Sequence, residues 1–358
     1  MTRISDFIAK ALLGAAAGAF VFGAVAQAQE LKNVNVVMPN DASCGMYPEW
    51  NATIFGFWPD AGIKVNILPS ETTVPYVAFL QNGDADIVTL DSAQVLQAAD
   101  AGLPIKVVYE AMQYAPEGIY VVADSPIQGL EDLHDITIGM ASDRDLITTI
   151  IAMSSIGKTL EDANITTVVV GDSGPIMATA LRDNTIQALA GSNSDYAGVA
   201  AAGIQIRDVT PPAVSRNPGN SFTVWGPTLE DKREMIEAFV KGWAMAQHAA
   251  VLDTKTSASA CATAVPEQFE NREVGFNLIN ENAFVQQIRR TKDFGELQPD
   301  VWSSIQPAFL NIGEISKEID PDTFLDASFI EAANDWTTDE VKRGLDAWRE
   351  ANPDKVIY

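Results

Sequence analysis

Two kinds of side chain recur where the chain turns, and both suit reversible binding better than bond-making. Asp41, Glu71, Asp91, Asp143 and Asp195 lie in or beside candidate loops, where a carboxylate can accept from an amine or ammonium. Tyr47, Trp50, Tyr114 and Trp225 are aromatics near loops, able to sandwich a flat or alkyl group or face a cation. Each has a plainer reading. Asp91, Asp143 and Asp195 precede helical stretches, where carboxylates cap the first turn, and aromatics commonly pack in a core. Arg144 is the only cation in these loops. It can pair bidentately with a carboxylate or sulfonate, or bridge to Asp143 or Asp145 at the surface. Ser70, Thr72, Thr73, Ser142 and Ser173 offer hydroxyls at helix starts that can hold an oxyanion without a full positive charge. Cys44 and Ser92 complete the candidate set. Five carboxylates against one guanidinium lean toward an amine-bearing or zwitterionic ligand.

Catalytic patterns are missing. A Ser-His-Asp mechanism needs a histidine base, and neither His134 nor His248 lies near a Gly-x-Ser-x-Gly elbow. The chain has no Gly-x-x-x-x-Gly-Lys phosphate loop and no dinucleotide fingerprint. Its two cysteines and two histidines are far apart and match no metal-ligand spacing. No enzyme activity, cofactor or metal is expected. Cys44 and Cys261 can form a disulfide in an oxidising compartment, or remain two buried thiols.

The first residues address the compartment. Arg3 and Lys10 precede an apolar run from Ala11 to Ala26, and Ala26-Gln27-Ala28 gives a small-x-small cleavage pattern. That run of about 16 residues falls short of the roughly 20 a membrane span needs. Residues 1–28 are therefore expected to be a cleaved signal peptide, exporting a soluble product. The formal charge of -25 repels nucleic acid and anionic lipid and favours solubility. An apolar fraction of 47% is typical of a globular chain with a substantial core.

The elements that would position these residues alternate. Strand-like runs at Val34 to Met38, Ile63 to Leu68, Ile87 to Leu90 and Ile105 to Tyr109 are separated by helix-compatible stretches. This predicts parallel pairing in a layered α/β unit. A second cycle runs from Ile119 to Val209, Ser221 to Trp225 reads as one more strand, and helices follow Pro227. Ligands of open α/β sheets sit at the carboxyl ends of the strands, beside helix N-termini, which is where the candidate residues fall.

In this order of elements the chain resembles the periplasmic solute-binding proteins of ABC importers, and among them the nitrate, sulfonate and thiamine-pyrimidine-precursor binding group. Val77-Ala78-Phe79-Leu80-Gln81-Asn82-Gly83-Asp84-Ala85-Asp86-Ile87 is similar to that group's helix, Gly-Asp-x-Asp, strand signature. Pro104 to Val108, Ile119 to Val122 with Ile127 to Leu133, Ile138 to Met140 and Ala180 to Ala188 resemble the elements that follow. The chain departs from the group at Ala141-Ser142-Asp143-Arg144-Asp145, where a Gly-Ser-rich turn is usual.

The resemblance implies an α/β, two-lobed clamshell of the type II periplasmic-binding-protein fold. Each lobe would be a mostly parallel sheet with flanking helices, and a helical C-terminal tail would lie on lobe 1. Residues 29–122 plus 221–358 would form lobe 1 and residues 123–220 lobe 2, with crossings near Ile119 to Ala123 and Phe222 to Trp225. The implied protein is a monomeric periplasmic receptor that hands a small-molecule solute to an ABC permease in the inner membrane, closing about its hinge. The solute expected from the loops is a small nitrogen-containing molecule, a heterocyclic amine such as a pyrimidine or an amino-sulfonate. The alternatives are an oxyanion receptor of the sulfonate or nitrate type and a sensory receptor unrelated to transport. A pyrimidine-synthesising relative of this fold carries a cysteine-rich motif, which this exported chain lacks.

Overall fold

Val34 and Val36 alternate with Asn33 and Asn35, and the strand they predict has its valines fully buried. It opens the computed structural model, which describes residues 30–38, 43–68, 76–115, 117–143, 145–211, 217–287 and 291–358. The expected signal peptide lies outside these residues. Leu31–Tyr358 forms a single compact unit.

In chain order, β1 (Lys32–Val37) leads through α1 (Tyr47–Ile54) and α2 (Phe57–Asp60) to β2 (Ile63–Leu68). Next come α3 (Val77–Asn82), β3 (Ile87–Leu90), α4 (Ser92–Asp100) and β4 (Ile105–Glu110). The second cycle holds β5 (Glu117–Val122), β6 (Thr137–Met140), α5 (Asp145–Ser155), β7 (Thr166–Val169), α6 (Gly174–Arg182), β8 (Ala188–Ser192), α7 (Asn193–Ala201) and β9 (Ile206–Asp208). The chain returns through β10 (Ser221–Trp225) and closes with α8 (Arg233–Leu252), α9 (Thr254–Ala264), α10 (Arg272–Gln287), α11 (Pro299–Asn311), α12 (Ile330–Ala333) and α13 (Thr338–Ala351).

The strands form two five-stranded sheets, ordered β2-β1-β3-β10-β4 and β7-β6-β8-β5-β9. Each is mixed. β10 runs antiparallel to β3 and β4, and β5 runs antiparallel to β8 and β9. The two-lobed α/β architecture therefore stands, with one reversed strand inserted in each sheet.

That topology moves the crossings. Val122, assigned from sequence to the first lobe, pairs with Ile206 in the second sheet. Phe222 to Trp225, expected at a crossing, lie inside the first sheet. The chain instead passes between sheets just after Glu110 and just before Ser221. The two passages pair with each other: Met112 N–H donates to the Asn220 carbonyl at 3.0 Å, and Gly219 N–H donates to the Met112 carbonyl at 2.8 Å. A Cβ on Gly219 would sit 3.0 Å from the Tyr114 carbonyl oxygen, so only glycine permits this close approach without displacement.

The larger core lies in the first lobe, where α8 covers the sheet. Phe222 on β10 packs edge-on against Phe239 and Trp243 of α8, and Trp58 stacks on Phe239. Helix α9 has little apolar periodicity and was not anticipated. It is started by Asp253, whose carboxylate accepts from Thr256 N–H at 2.9 Å, and it is tied by a disulfide between Cys261 and Cys44. No helix among the described residues is long and apolar enough to cross a membrane.

Candidate functional site

Because β10 and β5 are reversed, the carboxyl edge of each sheet combines the ends of four strands with the beginning of the fifth. In the first sheet this edge carries Leu90-Asp91-Ser92, Glu110 and Ser221. In the second it carries Glu117, opposite Ser192, and the turns Ala141 to Asp143, Val170 to Ser173 and Ser192 to Asp195.

Two of the second-sheet turns are built alike. β6 and β8 are adjacent parallel strands, and each runs into Ser-x-x-Asp at a helix start. Ser142 donates to Asp145 Oδ2 from its N–H at 2.7 Å and its hydroxyl at 3.1 Å. Ser192 donates to Asp195 Oδ2 in the same way, at 2.7 and 2.8 Å. The carboxylates satisfy turn donors and place negative charge at the positive ends of α5 and α7. The positions where those helices could hold a foreign anion are thus already supplied with acid.

More acid stands around them. Burial raises the Asp195 carboxyl above its ordinary range, the Ser192 bonds oppose this, and the charge of Asp172 adds to it. Asp208, at the end of β9, is raised by burial against its bonds from Thr210. Tyr196 is buried beside these groups and donates to the carbonyls of Gly118 and Gly191. Burial above all, then Tyr120, Asp208, Asp195 and Asp145, hold its hydroxyl protonated. Among the described residues of this edge there is no lysine or arginine.

The sequence candidates separate into groups. Asp41, Glu71, Thr72 and Arg144 lie outside the described residues. Asp91 caps α4, accepting from Gln94 N–H at 2.8 Å, and Ser92 is the buried first residue of that helix. Tyr114 is half-buried in the first crossing, Ser142 is half-buried and Asp143 is exposed on the same turn. Asp195 is the capping partner of Ser192. Three expectations change. Cys44 and Tyr47 are fully buried in one apolar cluster with Cys261, leaving neither a surface for a solute. Trp225 pairs with Ile105, at the edge opposite the carboxyl ends, because β10 is antiparallel. The open question over the cysteines is answered by the disulfide.

Sequence reasoning named Asp145 only as a surface partner for Arg144 and passed over Glu117 and Asp172 as site residues. The repeated Ser-x-x-Asp after two strand-like runs was a signal for Asp145. Nothing in the sequence marked Glu117, whose place depends on the reversal of β5.

Comparison with known proteins gives a consistent fold. The periplasmic aliphatic sulphonate binding protein SsuA from Escherichia coli has a TM-score of 0.62 at 15% identity, over 81% of this chain and 96% of that one. The periplasmic nitrate-binding protein NrtA from Synechocystis PCC 6803 has a TM-score of 0.55 at 12% identity, over 91% of each chain. The desulfurization enzyme DSZB has a TM-score of 0.56 at 16% identity, over 84% of this chain and 98% of that one. No curated protein sequence matches the chain. The NMT1/THI5 like family model matches residues 43–254, more than half of the sequence, and the chain belongs to that family.

Proposed function

We propose that the protein is an extracytoplasmic receptor of an ABC uptake system, holding a small solute that carries a protonated nitrogen between the carboxyl edges of its two sheets. The observation that carries this reading is the second-sheet edge: Glu117, Asp143, Asp145, Asp172 and Asp195 lie along it, five carboxylates against the one guanidinium that the chain supplies there, Arg144, and α5 and α7 start on the protein's own carboxylates. Such an edge attracts an ammonium or protonated heterocycle and repels a plain oxyanion. The solute is bound without chemical change.

The lobes would consist of the first sheet with helices α1 to α4 and α8 to α13, and of the second sheet with α5 to α7. The receptor would act as a periplasmic monomer after removal of residues 1–28 and deliver its solute to a permease in the inner membrane. Its family, and structural neighbours that are periplasmic binding proteins, support this place in transport.

A second reading, an oxyanion receptor, has one local observation in its favour: α6 starts after Ser173 with no side-chain cap, leaving its first N–H groups for an anion. Asp172, immediately before it, opposes that use. A thermal-shift screen of residues 29–358 against pyrimidines, other amines, taurine-like zwitterions, alkanesulfonates and nitrate separates the readings. A ligand at 100 times its dissociation constant adds about 2.7 kcal/mol of stability. A rise with amines alone supports the proposed solute, a rise with oxyanions alone replaces it with the second reading, and no rise with any compound counts against both.

A further inference from the structure

Helices α10 and α11 are consecutive, and both leave the first lobe to touch the second. Helix α10 packs on the Cys44–Met46 turn of the first lobe and on α7 of the second. Helix α11 packs on α4 and on α5. The α5 contact is apolar: Ile147 and Ile151, one turn apart, are half-buried and pack against the first-lobe core, and Ile151 also packs against the second.

Residues 291–298, leading into α11, are bonded to the first crossing. Glu110 N–H donates to the Gly295 carbonyl at 2.9 Å. Gln113 Nε2 donates to the Glu296 carbonyl at 2.7 Å and to Thr291 Oγ1 at 2.8 Å. The Glu110 carboxylate, 1% exposed, accepts from Gln298 N–H at 2.9 Å, Gln298 Nε2 at 2.7 Å and Trp302 Nε1 at 2.9 Å. Leaving any of these groups unpaired in the interior would be costly, so the base of the bracket is fixed to the strand that enters the hinge.

We infer that α10, α11 and residues 291–298 form a bracket that holds the second lobe in the arrangement seen here through protein contacts, without requiring solute. Moving the second lobe off this seam would expose the Ile147–Ile151 face to water, which favours the present arrangement by an apolar term independent of the site. A solute then adds only its own differential affinity to an equilibrium already biased toward this arrangement. The inference does not depend on the identity of the solute, because the apolar seam contains none of the acidic residues assigned to binding.

The test is the inter-lobe distance in solute-free protein, after refolding to remove carried ligand. Spin labels at Lys64→Cys and Glu161→Cys, both exposed positions in different lobes, report it by pulsed electron resonance. Cys44 and Cys261 are bonded to each other and take no label. A main population at the separation this structure sets supports the bracket, as does a shift to longer distances in Ile147→Asp. If Ile147→Asp fails to fold by circular dichroism, Ile147→Ala replaces it and is expected to give a smaller shift the same way. A dominant longer population in the unsubstituted protein, or an unchanged distribution in the folded variant, overturns the inference.

Discussion

Ser192 donates twice to a single oxygen of Asp195, from its backbone N–H at 2.7 Å and its hydroxyl at 2.8 Å. The same arrangement recurs one strand away between Ser142 and Asp145. With Asp195 facing solute as proposed, Asp195→Asn removes the charge but keeps an amide oxygen that can accept from Ser192 at the third position of α7. A charge-assisted hydrogen bond contributes about 1.5–3 kcal/mol, so affinity for an amine found in the screen should fall roughly tenfold or more. Calorimetric titration measures this, and an unchanged dissociation constant would remove Asp195 from the contact surface.

Glu49 gives a pH signature. It is buried, its Oε1 has no hydrogen-bond partner, and burial pushes its carboxyl up from 4.5 to about 8. Because the folded value is the higher, its favourable contribution is complete below about pH 4.5 and is lost as pH rises through about 8. Each pH unit between those values corresponds to about 1.4 kcal/mol. Glu49→Gln should therefore raise the melting temperature at pH 8 and do little at pH 4.5. Parallel melting curves across that range, with no crossing or convergence, would contradict this.

The disulfide closes a loop of 217 residues in sequence separation, and both cysteines are fully buried. Chain-entropy arguments give about 5 kcal/mol for a loop of that length, and measured cases more often fall near 2–4 kcal/mol. The paired Cys44→Ser and Cys261→Ser variant should melt well below the unsubstituted protein in a thermal scan. Reductant alone should leave the native bond intact at room temperature, as thiol counting without denaturant would reveal.

Gly219→Ala tests the paired crossings. Its new methyl would stand 3.0 Å from the Tyr114 carbonyl oxygen and 3.1 Å from Met112 Cβ, closer than van der Waals contact allows. Overpacking of this kind costs about 1–3 kcal/mol. The expected result is a lower melting temperature together with a changed inter-lobe distance, read with the same labels at positions 64 and 161. A variant identical to the parent in both would show that the passages are not tightly coupled.

The local signals in the sequence carried most of the architecture. Alternating valines and asparagines announced β1, glycines marked helix ends such as Gly83 and Gly102, and repeated strand-helix units implied two layered α/β lobes. Each is a short-range property, fixed by side-chain period and backbone preference within a few residues. The acidic character of the proposed site was legible for the same reason, since Asp143 and Asp195 closely follow strands in the chain.

What the sequence could not decide was set by pairings between distant segments. Whether Trp225 lay at the carboxyl edge or opposite it depended on the direction of β10 between β3 and β4, which its own five residues do not encode. Glu117 reached the edge by the same kind of reversal in β5. Helix α9, poor in apolar periodicity, owes its place to packing and to the bond between Cys44 and Cys261, and no spacing could reveal that those cysteines meet. By itself the sequence determined the strands, most of the helices, the two layered lobes and the acidic supply near the turns. Only tertiary structure decided which residues share an edge, because strand direction and long-range packing are properties of the whole fold.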